Sequence, residues 1–240
     1  MAATGVVLVG FVIGHLVGNL QIFEDPDRIN GYAQFLHSLG PALWAVRAVM
    51  LTCVVVHVWA ATVLTLEARR ARGAEPYGRE TWIQATLSSR YMRWTGYVVL
   101  AFIVYHLAQF TLGFAQAASF KENLPPYVMH GDYRVLGFVT VHSGAEVADV
   151  RSMIILGFSN VWVAIFYIIA VGLLTLHLLH GADSLFQTFG LRNRRWAKGL
   201  RAVVTLGCAL YFLGNLSIPG AVLAGVLAPA DPAQTALITH

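Results

Sequence analysis

The sequence predicts an all-α transmembrane protein of five helices, and three observations carry that expectation. First, 57% of the 240 residues are hydrophobic, 12% are charged and the mean hydropathy is +0.64. A single water-soluble core could not hide that much apolar side chain. Second, uncharged runs cover residues 1–23, 48–66, 94–120, 152–182 and 202–230, and each supplies the roughly 20 residues that a spanning helix needs. Third, eleven of the sixteen Lys and Arg residues fall in two connections, 67–93 and 183–201. That asymmetry marks cytoplasmic loops.

Taken in order, the helices are expected over about 2–23, 41–67, 91–117, 152–182 and 198–227, as a single domain over 1–240. A bilayer gives the backbone no water to bond with, so spanning segments must satisfy their own amides as helices. The first run has no basic leader and no small-residue cleavage site, and is therefore expected to be retained. The second begins near Pro41 and carries Arg47 close to its outer end. The connection 24–40, with Glu24, Asp25 and Asp27, is expected outside, as is 117–151 with Pro125 and Pro126. The N-terminus is then cytoplasmic. The pI near 9.3 reflects the same bias, and no interleaving of basic and aromatic residues suggests a nucleic-acid partner. Cys53 and Cys208 lack C-x-x-C spacing, which excludes covalent c-type haem and a four-thiolate cluster. They read as packing residues.

Five of the nine histidines lie within the apolar runs: His15, His57, His106, His177 and His180. Ionisable groups at that depth are costly and serve an ion path, a proton relay or a cofactor, or else bond a neighbouring helix. The stretches TGVVLVGFVIGHL and TGYVVLAFIVYHL place His15 and His106 at the same offset after Gly5 and Gly96, so both imidazoles should sit about 15 Å beyond their glycine. On the returning helices, His57 lies ten residues before Glu67 and His177 six before Asp183, a second candidate pair nearer the inner surface. Two facing pairs at two depths suit two planar macrocycles with iron held from both sides, a common arrangement inside helix bundles. Ligation from both sides leaves no open position, which favours electron transfer over chemistry at iron. Gly14, Gly18 and Gly181 are small enough for a ring, or another helix, to approach. His180 stands at i+3 from His177 on the same face, so geometry alone admits either as ligand; His177 is the deeper. His37, His130, His142 and His240 fall in connections or at the end and read as solvated.

The segments HLVGNLQIF, NGYAQFLHSLGPALWAVR, SSRYMRWTGYVVLAFIVYHL and LHLLHGADSLFQTFG together resemble the di-haem cytochrome b membrane-anchor subunit of succinate:quinone oxidoreductases, the succinate dehydrogenases and fumarate reductases. The likeness runs to about Gly190. It implies a four-helix bundle enclosing two b haems, with a peripheral fifth helix, in a bacterial cytoplasmic membrane. It also implies His15 and His106 as ligands of the outer haem iron, and His57 and His177 of the inner one. A flavoprotein and an iron-sulfur subunit would dock on the cytoplasmic side, electrons would pass to menaquinone or ubiquinone, and the complex could assemble further. Mono-haem anchors of the same class carry Ser-x-x-x-Arg-x-x-Gly where a helix leaves the cytoplasmic surface, matched here by Ser89, Arg93 and Gly96. In those relatives the Ser and Arg lie at the quinone pocket and near a haem propionate. They also carry the ligand spacing matched by His177, Gly181 and Gly190, which favours His177 over His180. No such Ser and Arg precede Gly5, so one pocket is implied. Arg47, Arg90 and Arg93 can pair with propionates or serve as surface anchors. The chain carries no flavin or succinate site, so it would be an electron-transfer subunit of that enzyme. Two other classes share intramembrane histidines: the anchor of another membrane dehydrogenase, such as a hydrogenase, and a haem-free proton-relay transporter.

Overall fold

The computed structural model describes residues 1–71, 87–191, 193 and 195–229, with the side chains of 87–89 outside that description. It is 74% helical. The first helix, α1 (Ala2–Leu20), continues into a 3₁₀ turn, Gln21–Phe23. There follow α2 (Pro26–Ser38), α3 (Pro41–Ala71) and α4 (Leu87–Phe110). After two short hairpin pairings come α5 (Val150–Ser159), α6 (Val161–Thr188) and α7 (Ala197–Leu223). Among the described residues four helices are long and apolar enough to cross a membrane: α1 with its 3₁₀ extension, α3, α6 and α7. The 24-residue α4 is of comparable length but carries Arg90, Arg93, His106 and Gln109.

The bundle is organised in pairs. α3 packs on α1, α4 packs on α6, and α7 closes against α6, α1 and α5. The tightest core forms where α4, α5, α6 and α7 converge, around Phe102, Ile155, Phe158, Tyr167, Ala170 and Ile218. α3 stands apart, since none of its 31 residues is buried. A β-carbon on Gly214 of α7 would lie 3.1 Å from the Leu16 side chain of α1, so a small residue sets that approach.

Three local departures from the expected helices have physical causes. The run expected as one helix over 152–182 is broken at Ser159–Asn160 into α5 and α6. The Asn160 side chain accepts from the Trp162 and Val163 N–H groups at 3.0 and 3.3 Å. A short polar side chain of this kind competes with the continuing ladder and starts a new helix instead. The helix expected to 117 ends at Phe110, and Gly113 follows at φ 77°, with the Phe120 ring where a β-carbon would be. The connection 24–40 contains α2, with Asp25 accepting from the Asp27 N–H at 2.9 Å and Pro26 in the first turn; both are favoured helix-start residues.

Residues 113–149 fold over α2 as a cap. β1 (Tyr127–Val128) pairs antiparallel with β4 (Glu146–Val147), and β2 (Tyr133–Val135) with β3 (Phe138–Val141). Their inner side chains, Tyr127, Met129, Tyr133, Val141 and Val147, pack on Tyr32 and Phe35 of α2. Asp27 ties cap to helix, accepting from the Tyr127 hydroxyl at 2.9 Å and from the His130 and Gly131 N–H groups at 3.0 and 2.6 Å. Burial first, and then this carboxylate, push the Tyr127 phenol well above its ordinary range. Gly31 admits the cap to close range: a β-carbon there would lie 2.6 Å from Cβ of Tyr133. Gly31→Ala should therefore cost about 1–3 kcal/mol through overpacking, read as a lowered unfolding midpoint in detergent and faster proteolysis within residues 113–149.

Candidate functional site

Four of the five histidines in the apolar runs meet in two pairs at two levels of the bundle. The His15 ring of α1 and the His106 ring of α4 lie with centroids 5.7 Å apart and planes at 88°. The His57 ring of α3 and the His177 ring of α6 lie 6.5 Å apart at 60°. Each pair thus joins the α1–α3 unit to the α4–α6 unit. His177, rather than His180, is the ring paired with His57.

The repeated Thr-Gly pairs explain the second level. Thr4 of α1 contacts Nδ1 of His57 at 3.1 Å, and Thr95 of α4 contacts Nδ1 of His177 at 3.3 Å. Gly5 and Gly96 clear the space: β-carbons on them would lie 3.9 and 3.5 Å from Cε1 of the same two rings. Each copy of the repeated stretch therefore supplies a histidine to the outer pair and a Thr-Gly seat to a histidine of the inner pair. The ten residues between seat and histidine separate the levels by about 15 Å along the helix.

The outer pair has different support on its two sides. Nδ1 of His106 faces the Tyr167 hydroxyl at 3.4 Å, and that hydroxyl donates to Oε1 of Gln109 at 2.7 Å. Gln109 is 2% exposed and continues through Gln116 to the Gly157 carbonyl. Phe102 and Phe110 pack against the His106 ring. His15 instead stacks on Phe11, with centroids 5.4 Å apart and planes at 12°. His15 is exposed in the structure.

Other sequence candidates fall as follows. Arg93 is exposed at the end of α4 that carries Thr95, while the side chain of Ser89 lies outside the described residues. Arg47 lies over the Trp44 ring at 4.8 Å. Arg72, Arg79, Arg192, Arg194 and His240 lie outside the described residues. His37, His130 and His142 are exposed on the cap and α2, and Cys53 and Cys208 are free and half-buried. Sequence reasoning missed Thr4, Thr95, Tyr167 and Gln109 as partners of the histidines. The Thr-Gly repeat was the available signal for the first two; Tyr167 and Gln109 left none, because each partner sits on a different turn or helix. No family model, curated protein or solved structure matches the chain.

Tyr167 is the hinge of the outer network. Tyr167→Phe leaves the buried Gln109 oxygen without its donor and should lower stability by about 1–3 kcal/mol, measured by thermal unfolding of the detergent-solubilised protein.

Proposed function

We propose that this chain is the cytochrome b membrane anchor of a succinate:quinone oxidoreductase, holding two b haems and passing electrons from a cytoplasmic flavoprotein and iron-sulfur unit to a quinone. The observation that carries the reading is the pair of cross-bundle imidazole couples. Two imidazole nitrogens each about 2 Å from one metal ion would put ring centroids roughly 6 Å apart, and the measured 5.7 and 6.5 Å bracket that spacing. At three of the four rings the described hydrogen bond uses Nδ1, leaving Nε2 for a ligand. The sequence motifs on all four of these helices support the same assignment.

On this reading His15 and His106 hold the outer haem, and His57 and His177 the inner one. Iron gripped from both sides would supply reversible one-electron transfer without an open coordination position. The protein's own work is orientation and exclusion. Thr4 and Thr95 fix the inner rings, Tyr167 fixes His106, and the Phe102 and Phe110 rings keep water from it. α4 serves as a fifth span, since Tyr167 of α6 engages its His106 and Gln109 and spares lipid those polar groups. The basic connections argue for a cytoplasmic N-terminus, with partner subunits docking at that end. Arg93, two residues before Thr95, is the candidate for a haem propionate or quinone oxygen, through the paired donors of its guanidinium. Ser89 is its candidate companion.

The purified complex should contain two b haems per chain by pyridine haemochrome, together with a flavoprotein and an iron-sulfur subunit. A colourless preparation, or a hydrogenase subunit in place of the flavoprotein, would overturn the assignment. His106→Ala should remove about half of the haem signal and His177→Ala the other half, whereas His180→Ala should retain both.

A further inference from the structure

We infer that Thr4 and Thr95 are positioning residues that hold His57 and His177 in the Nδ1–H tautomer, so that Nε2 of both rings is presented to the inner haem iron. The inference rests on the haem reading above and concerns how the chain prepares its own ligands.

The donor logic is the same at both positions. The Thr4 hydroxyl lies 2.8 Å from the Met1 carbonyl and 3.1 Å from Nδ1 of His57. The Thr95 hydroxyl lies 3.0 Å from the Met92 carbonyl and 3.3 Å from Nδ1 of His177. A carbonyl oxygen can only accept, and a hydroxyl has one proton. With each threonine proton on the carbonyl three residues back, its oxygen is left to accept, and the same Met1 and Met92 carbonyls are second acceptors within reach of the His57 and His177 rings. The imidazole must then donate through Nδ1–H, and a neutral ring protonated at Nδ1 has its lone pair on Nε2. The choice of tautomer is thus made by helix geometry before any ligand arrives.

Two features make this more than incidental polar contact. The arrangement occurs twice, on two different helices, and in both it spans the same pairing of a Thr-Gly helix with a histidine helix. Glycine follows threonine in each case, and Cε1 of the histidine sits 3.9 Å from the β-carbon position at Gly5 and 3.5 Å at Gly96. A larger residue at Gly96 would press on the ring that Thr95 orients. Outer-shell acceptors of this kind fix the orientation of a ligating imidazole and raise its basicity. The outer pair differs: His106 uses the Tyr167 phenol, and His15 stacks on Phe11. The outer haem therefore serves as an internal control.

The test uses the full chain in its complex, comparing Thr4→Val and Thr95→Val with Thr4→Ser and Thr95→Ser. Valine keeps the threonine shape and removes the oxygen; serine keeps the oxygen. The readouts are the midpoint potential of each haem by spectroelectrochemical titration and the low-spin ferric signals by electron paramagnetic resonance. Each valine variant should raise the inner-haem midpoint, because a ligand that loses the threonine oxygen, one of its two acceptors, donates less charge to iron. It should also move the inner-haem signal and weaken retention of that haem by about tenfold or more. The outer haem should be unmoved, and the serine variants should restore all three. Unchanged inner-haem potential and signal in the valine variants overturn the inference while leaving the haem reading intact. A shift that serine fails to rescue also overturns it, since the effect would then be one of shape. Wild-type protein without bound haem overturns the reading beneath it, and this inference with it.

Discussion

The structure depends on one constraint: an imidazole placed in hydrocarbon must be given partners for both of its nitrogens. Leaving such a group unpaired costs several kcal/mol. The chain places four histidines where two helix pairs face each other, and at three of them it answers one nitrogen with a hydroxyl of its own. The rings themselves meet in two pairs, with centroids 5.7 and 6.5 Å apart. The contrast between α3, with no buried residue, and the well-packed α4, α6 and α7 belongs to the same logic. α1 joins the two halves by packing on α6 and α7, while α3 reaches the other half through the His57 ring facing His177.

That arrangement has an approximate two-fold character. α1 with α3 and α4 with α6 each combine one Thr-Gly helix and one helix bearing an inner histidine. The symmetry is broken at the outer level, where α6 offers Tyr167 ten residues before His177, and α3 offers Arg47 ten residues before His57. A phenol that anchors a ring has as its counterpart a guanidinium, here resting on Trp44. The two outer histidines consequently sit in unlike surroundings, aromatic and hydrogen-bonded around His106, stacked and accessible at His15. Two histidine pairs of the same chemistry thereby have different surroundings within one bundle.

The cap follows from the same separation of polar and apolar surroundings. Its strands are too short to stand alone, and they hold because Asp27 collects one phenol and two backbone donors while Gly31 lets Tyr133 lie against α2. Asp149 and Asn30 extend the seam inward. The buried Asp149 carboxylate caps α5 and accepts from the Asn30 amide at 3.4 Å. The polar groups of the far end of the bundle are thus gathered into a joint between α2 and α5.

Sequence by itself determined the helical class, the apolar segments and the pairing of histidines by depth. These follow from composition and from the fixed rise of a helix, which converts equal spacing into equal height. It was also enough to single out the Thr-Gly repeat, but not its purpose, since the partner of each threonine lies 53 or 82 residues away on another helix. Tertiary structure decided the break at Asn160, because a capping side chain inside an apolar run is invisible to hydropathy until its amide partners are seen. It also decided that His177 rather than His180 faces His57, as two residues one turn apart share a face and only the position of the opposing helix selects between them. Tyr167, Gln109 and the clamp at Asp27 were settled in the same way, by hydrogen bonds that close only when distant segments have already been brought together.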